Sequence, residues 1–300
     1  VCTHRGAQVV RTDAGRLERL TCPYHGLTFD LDGRRTGCRE ADSFAPGEPE
    51  DLPRLGCATW GGWVWVCLLP DAAAGPHEQQ LAAFLGPELL DELDEWPFAD
   101  LRVAEREVFE AAFDWKVGVE AFLESLHLPS IHARTAAPLL DHRGTAQAGL
   151  GSHSRMSTPF RTPSAYAPTG PMGLAAQEAG VELFPRLNEV QRTSNFSYLI
   201  FPCTVLNLLP THLTRFHIQP TGTGTCRFEY ELYAAPATTP AQERYVASLG
   251  PGYRQLLDED LVNLPWIQRG LASGARPRLG LSAHERRILH FHETLERWLA

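Results

Sequence analysis

The chain has 300 residues, enough for two domains of ordinary size, each with its own core. Its 43% hydrophobic and 21% charged residues are typical of a globular protein, and no apolar run reaches the ~20 residues of a membrane-spanning helix. The net charge of -9 argues against nucleic acid, because phosphate binding needs a basic surface. Its seven cysteines lack the dense spacing of a secreted disulfide scaffold. We therefore predict a cytoplasmic protein with neither a nucleic-acid nor a membrane partner.

The N-terminal part of the chain is predicted to form short strands separated by turns. Residues 27–31 precede an Asp-Gly pair, which is a hairpin signal, and residues 63–69 form a compact apolar strand. Residues 71–77 are rich in Ala, Gly and Pro, which is typical of a linker. We therefore predict one domain over residues 1–75 and a second over residues 76–300.

The second domain is predicted to mix helices and strands. Residues 78–93 and 115–126 have helical character, and Pro129 is expected to interrupt the second of these helices. Residues 135–187 are rich in Gly, Pro, Ser and Thr, which predicts long loops with irregular strands. Alternation predicts regular strands at residues 103–113, 194–200, 213–219 and 226–234.

The chain is predicted to end in a helix. Ser282 and Glu285 have the spacing of a capping box at its start. The residues expected to face inward are Ile288, Leu289, Phe291, Leu295 and Trp298.

Two Cys/His pairs near the start have metal-ligand character. Cys2-Thr3-His4 and Cys22-Pro23-Tyr24-His25 are separated by seventeen residues. Two thiolates and two imidazoles suit zinc or a Rieske cluster, in which His replaces Cys on one iron. A common zinc finger groups its two Cys and its two His, whereas here each loop supplies one of each. Zinc, or two unrelated histidines and two buried thiols, are the alternatives. The chain opens at Val1, beside the first loop, so we expect a segment to precede it.

The pattern Cys-x-His and Cys-x-x-His resembles the Rieske family. Respiratory-chain Rieske proteins carry an extra Cys in each loop, whereas Gly6 or Ala7 and Tyr24 occupy those places here. The resemblance is therefore to the oxygenase and ferredoxin branch. It implies that a [2Fe–2S] cluster is held by Cys2, His4, Cys22 and His25.

A second group of metal-ligand residues lies in the middle of the chain. Glu120, Glu124 and His127 share one face of the predicted helix, and His132 follows five residues after His127. Two acids and two histidines within thirteen residues indicate a metal site. On spacing alone, a solvated helix face followed by a loop histidine explains them equally well.

The order Asp-Trp-Lys, then Glu-x-x-His-x-x-x-x-His, resembles the α subunit of Rieske non-haem iron oxygenases, the aromatic-ring-hydroxylating dioxygenase family. In that family two His and a distant Asp bind Fe(II) and leave positions open for O2 and substrate. The resemblance implies that His127 and His132 are ligands and that Glu124 links the two centres.

The third ligand is expected far downstream. Glu259-Asp260, followed by Gln268-Arg269-Gly270-Leu271, resembles the corresponding segment of the family. This resemblance implies Asp260 as the ligand, with Asp258 and Glu259 as less favoured substitutes.

The family implies an α+β fold, with an antiparallel β Rieske domain followed by a helix-grip (START-like) catalytic domain that has a long C-terminal helix. It also implies a homotrimeric oxygenase component. An NAD(P)H-dependent reductase or ferredoxin would deliver electrons through the cluster to the mononuclear Fe(II). The iron would then use O2 to hydroxylate an organic substrate, with an aromatic compound as the first expectation.

Two alternative functions stay open. One is a Rieske monooxygenase that removes an alkyl group from a quaternary ammonium or ether substrate. The other is an electron carrier whose second domain holds no iron, which would have two irons per chain instead of three.

Overall fold

A computed structural model of the chain describes residues 1–12, 14–68, 75–161 and 171–300. The chain divides into two compact units, Val1–Leu81 and Ala82–Ala300. Residues 71–74 of the predicted linker lie outside the described residues, and the predicted boundary between residues 75 and 76 stays a prediction. Within the described ranges, no helix is both long and apolar enough to cross a membrane.

The first unit is built from short antiparallel strands. The predicted hairpin is confirmed, and Gly33 takes a φ of 84° in its turn, which glycine adopts without strain. A three-stranded sheet and a separate two-stranded hairpin are formed by β1 (Leu20–Thr21), β2 (Thr28–Phe29), β3 (Arg35–Gly37), β4 (Gly56–Trp60) and β5 (Trp63–Cys67). Its buried core consists of Cys2, Cys22, Leu27 and Phe29.

The second unit is organised by one seven-stranded antiparallel sheet. Its strands are β6 (Arg102–Ala111), β7 (Ala146–Leu150), β8 (His153–Pro159), β9 (Ser194–Ile200), β10 (Thr204–Leu209), β11 (His212–Gly222) and β12 (Thr225–Ala234). The order across the sheet is β6-β12-β11-β10-β9-β8-β7. Two outcomes differ from expectation. β7 and β8 are regular strands inside the region predicted as long loops with irregular strands, and β10 was not predicted because its apolar run lacks clear alternation.

Helices surround this sheet and supply part of its core. They are α1 (His77–Leu85), α2 (Pro87–Leu93), α3 (Trp115–Glu120), α4 (Leu128–Ile131), α5 (Pro171–Glu178), α6 (Glu189–Arg192), α7 (Pro240–Leu261), α8 (Leu264–Ala272) and α9 (Arg286–Leu299). The single helix predicted over residues 78–93 is two helices, because Gly86 between them has a φ of 78°. Leu257 of α7 and Phe291 of α9 pack in one core with Phe228 of β12.

The last helix buries a somewhat different face from the one that was predicted. The capping box between Ser282 and Glu285 is confirmed, and Ile288 and Phe291 are buried as expected. Leu289 and Trp298 are exposed instead of facing inward. The buried stripe contains Arg287, which lies one helical turn before Phe291.

Candidate metal centres and substrate cavity

The two Cys/His loops have the same backbone hydrogen bonds. In each loop, the cysteine N–H donates to a carbonyl five residues later, and the cysteine carbonyl accepts from a glycine four residues later. The bonds are Cys2 N–Ala7 O at 2.8 Å, Gly6 N–Cys2 O at 3.0 Å, Cys22 N–Leu27 O at 2.7 Å and Gly26 N–Cys22 O at 3.0 Å. Both glycines have a positive φ, which lets the chain turn tightly around the cysteine.

The thiols lie inside these loops and the imidazoles nearer to the surface. Cys2 and Cys22 are buried, and their thiols are close enough to hydrogen-bond with each other. The Nδ1 atoms of His4 and His25 face each other at 3.1 Å, and His25 is exposed. A Rieske cluster takes two thiolates on one iron and two imidazoles on the other. The four side chains therefore fit this cluster, with the histidine-bound iron nearer to the surface.

Backbone N–H groups also point at the thiols. Burial alone would raise the pKa of the Cys22 thiol, but hydrogen bonds from the N–H groups of Tyr24 and His25 help to lower it. For Cys2, burial outweighs the corresponding N–H groups and raises the pKa. Such N–H donors also stabilise thiolates bound to a metal, and they tune the potential of an iron–sulfur cluster.

A second donor group lies in the other unit. The Nε2 atom of His132 is 3.1 Å from Oδ1 of Asp260, and the Nε2 atom of His127 is 3.7 Å from the same oxygen. The three ligand atoms lie within 4.8 Å of one another, and no other group of His, Cys, Asp or Glu in the described part of the chain does so. Two imidazoles and one carboxylate with an open side fit a mononuclear iron.

A glutamate holds the outer nitrogen of each imidazole. Nδ1 of His127 donates to Glu124 at 2.5 Å, and Nδ1 of His132 donates to Glu259 at 2.8 Å. Because an ionised carboxylate can only accept, Nδ1 carries a proton, and Nε2 is the position that a second proton or a metal ion can take. Burial alone would lower the pKa of His132, but the hydrogen bonds and charges of Asp260 and Glu259 raise it. Both imidazoles are therefore oriented to bind a cation beside Asp260.

The local backbone around His127 and His132 depends on where helix α3 ends. The helix predicted over residues 115–126 stops at Glu120, which corrects the prediction. The carboxylate of Glu124 accepts the backbone N–H groups of Leu126 and His127, and this side-chain capping replaces helical hydrogen bonds. Pro129 lies in the first turn of α4 instead of interrupting a helix, since its missing N–H would be unpaired there anyway. His127 and His132 thus flank one short helix.

The remaining predicted acids fall in different places. Asp260 ends up buried in the last turn of α7, whereas Asp258 is exposed and points elsewhere. Glu120 lies away from the group and accepts from Nε2 of His292 at 2.8 Å. The contact of Glu259 with His132 was not predicted. One signal was present: adjacent helical residues point about 100° apart, so Glu259 and Asp260 cannot both bind one metal directly.

A cavity of about 420 Å³ opens onto the second donor group. Its walls are mainly apolar, as in most sites for small molecules, and include Leu128, Leu140, Met156, Phe160, Leu209 and Phe216. Strands β8, β9 and β10 contribute uncharged polar side chains to it, namely Thr158, Asn195, Ser197 and Asn207. The arrangement is that of a metal centre at one end of a small-molecule pocket.

Comparison with known proteins identifies both units. Residues 98–300 match the family described as ring hydroxylating alpha subunit (catalytic domain). Residues 1–48 match the Rieske [2Fe-2S] domain. These matches favour a Rieske cluster over zinc, and an oxygenase over an electron carrier.

Individual relatives point to the same group of enzymes. The chain is 25% identical over 316 residues to the carnitine monooxygenase oxygenase subunit of Escherichia coli K12, covering 98% of this chain and 75% of the relative. It is 26% identical over 305 residues to the chloroplastic choline monooxygenase of Beta vulgaris, covering 99% of this chain and 63% of the relative.

A solved structure shares the fold. It is a quaternary ammonium Rieske monooxygenase, described as giving insights into carnitine oxidation by gut microbiota and inter-subunit electron transfer. The TM-score is 0.73 at 23% identity, covering 99% of this chain and 77% of that one. The predicted α+β fold, with a Rieske domain and a catalytic domain, is thereby confirmed.

The catalytic-domain match spans more than half of the chain. The enzyme is an oxidoreductase that uses a Rieske [2Fe–2S] cluster, a mononuclear iron, O2, a small-molecule substrate and an electron-transfer partner. The chain therefore belongs to the ring hydroxylating alpha subunit family and is the oxygenase component of a Rieske oxygenase.

Proposed function

We propose that this protein is a Rieske monooxygenase that hydroxylates a carbon atom of a quaternary ammonium compound. The observation that carries the proposal is the convergence of His127, His132 and Asp260 at one end of an apolar cavity. The names of the two curated relatives, a carnitine and a choline monooxygenase, support this substrate class. The first expectation, an aromatic substrate, has no support from either of them.

We assign the ligands as the donor sets suggest. Cys2, His4, Cys22 and His25 would hold the [2Fe–2S] cluster. His127, His132 and Asp260 would hold the Fe(II), which supplies O2 activation when it is bound. Glu124 and Glu259 keep the imidazoles in the tautomer that binds a cation, and the apolar walls exclude water from the reacting carbon.

The test of this function is product analysis. The purified protein is mixed with a reductant, O2, and choline, carnitine or an aromatic hydrocarbon in turn. We expect reductant-dependent O2 consumption and an oxidised ammonium product, identified by mass spectrometry. A cis-diol from the aromatic hydrocarbon, with no product from either ammonium compound, would contradict the proposal.

We further propose a homotrimer that receives its electrons from an NAD(P)H-dependent reductase or a ferredoxin. Electrons would pass from His4 or His25 of one subunit to Glu124 of the next. Two features of the surface support such packing. Leu126 is exposed beside Glu124. Val262, which precedes α8, is 68% exposed, and Trp266 on α8 is 66% exposed. The related structure is described as giving insights into inter-subunit electron transfer, which supports transfer between subunits here.

Glu124→Gln should weaken Fe(II) binding by about 10-fold to 100-fold, because the amide carries no charge to stabilise the histidine N–H contacts. With iron restored, it should also slow the passage of electrons at least about tenfold. The measurement is stopped-flow oxidation of the reduced cluster after mixing with O2 and substrate. Glu259→Gln is the matched control, since Glu259 holds the other imidazole in the same way but has no proposed role in transfer.

We expect Glu259→Gln to weaken Fe(II) binding by about 10-fold to 100-fold while its cluster, once iron is restored, oxidises at the wild-type rate. Equal slowing in both variants would show that Glu124 only orients its histidine. A fully active monomer, detected by light scattering under assay conditions, would rule out transfer between subunits.

A further inference from the structure

We infer that the cavity selects an ammonium substrate that has no carboxylate, and that a hydroxyl of this substrate donates to the side-chain oxygen of Asn195. The inference rests on the proposed function and narrows its substrate class. Carnitine and glycine betaine each carry a carboxylate, whereas choline carries a hydroxyl and no carboxylate. The two kinds of compound therefore need different groups in the cavity wall.

The cavity wall offers no cation. None of the described residues that line it is Lys or Arg. Residues 162–170, which lie outside the described ranges, contain neither Lys nor Arg in their sequence. Besides His127 and His132, the described cavity wall contains His212. This histidine is fully buried, and burial lowers its pKa to about 3. Its Nε2 atom lies 3.0 Å from the hydroxyl of Tyr253. His212 is therefore neutral and serves as a hydrogen-bonding group.

One arginine lies behind the wall without facing the cavity. Arg287 is 1% exposed, and burial lowers its pKa to about 9, so it stays charged near neutral pH. Its guanidinium donates to the carbonyl and hydroxyl of Ser154, the carbonyl of Phe122 and the hydroxyl of Ser197. A carboxylate in the cavity therefore cannot accept an N–H from this residue.

The charges that do reach the cavity are negative. Glu124 and Asp260 line the cavity at its metal end, and a bound iron offsets part of their charge. A substrate carboxylate would lose its water and meet no counter-charge, which is unfavourable. An ammonium group would instead meet aromatic side chains of the wall, among them Phe122 and Tyr253, and aromatic rings attract cations.

Asn195 supplies the polar contact that a hydroxyl needs. It lies on β9 opposite Thr158 of β8, on the side of the sheet that lines the cavity. Its Oδ1 atom is buried and has no hydrogen-bond partner within the described ranges, and a rotation of the side-chain amide would turn this atom toward a ligand in the cavity. A buried acceptor without a partner is unfavourable, so a ligand that donates to it gains affinity. A substrate hydroxyl can do so, whereas a carboxylate only accepts.

The experiment measures binding by anaerobic calorimetry to protein that holds both metals. Its ligands are choline, ethyltrimethylammonium, glycine betaine and L-carnitine. We expect wild-type protein to bind choline at least about tenfold more tightly than either carboxylate compound. Asn195→Leu, which has a similar volume, should weaken choline about tenfold. It should leave ethyltrimethylammonium, which lacks the hydroxyl, nearly unchanged, and this result also shows that the variant is folded.

The outcomes separate this inference from the proposed function. If glycine betaine or carnitine binds as tightly as choline, the charge argument is wrong, although an ammonium oxygenase remains. If Asn195→Leu weakens choline and ethyltrimethylammonium equally, Asn195 does not contact the hydroxyl. If none of the four compounds binds, the proposed function fails and the inference fails with it.

Discussion

Asp260→Ala should remove the mononuclear iron and reduce O2-dependent turnover by more than about 100-fold, while the visible spectrum of the Rieske cluster stays unchanged. The reason is the small number of protein ligands. Asp260 is the only anionic member of the converging group, and its Oδ1 lies within 3.7 Å of both histidine Nε2 atoms. Without it, two neutral imidazoles remain, which is too few to hold Fe(II) against water.

The measurement is the number of iron atoms per chain in the purified variant, obtained by elemental analysis, together with the visible absorbance of the cluster. The chain provides a matched control in Asp258→Ala, an exposed carboxylate two residues earlier on α7. We expect this control to keep three irons and wild-type turnover. If Asp260→Ala keeps the third iron and Asp258→Ala loses it, the carboxylate ligand is Asp258. Loss of colour in Asp260→Ala would indicate misfolding instead.

Cys22→Ala should abolish the Rieske absorption and its electron paramagnetic signal, and with them all turnover that depends on the reductase. In the proposed assignment the thiolate supplies one of the four protein bonds to the cluster, and Cys22 is buried in the core of the first unit. The mononuclear iron should remain, because its three proposed ligands all belong to the second unit.

Cys38→Ala is the control for Cys22→Ala, because Cys38 packs against the same core but belongs to neither Cys/His loop. It should keep the full signal. Survival of the signal in Cys22→Ala would show that the ligand assignment is wrong. A colourless wild-type protein that contains zinc would contradict the assignment of the cluster itself.

The sequence contains clearer signals for the proposed metal ligands than for their surroundings. Cys2, His4, Cys22 and His25 are informative because each pair lies within four residues, so spacing alone restricts their geometry. Asp260 is different, since it is over a hundred residues from His127 and only the family resemblance pointed to it. Regular elements with clear alternation, such as β9 and β12, were also predicted.

Other features depend on contacts that no local pattern contains. The early end of α3 follows from Glu124, whose carboxylate competes with helical hydrogen bonds that periodicity takes for granted. The contact of Glu259 with His132 joins residues 127 positions apart. The burial of Arg287 does not follow from its residue type, and only the tertiary structure shows the carbonyls and hydroxyls that accept its N–H groups.

The paired glutamates behind the histidines also bear on how the enzyme matures in the cell. Because Glu124 and Glu259 fix the imidazoles through hydrogen bonds within the polypeptide, the iron pocket acquires its shape during folding. Metallation can then be a late and reversible step, in which Fe(II) exchanges with the labile iron pool of the cell.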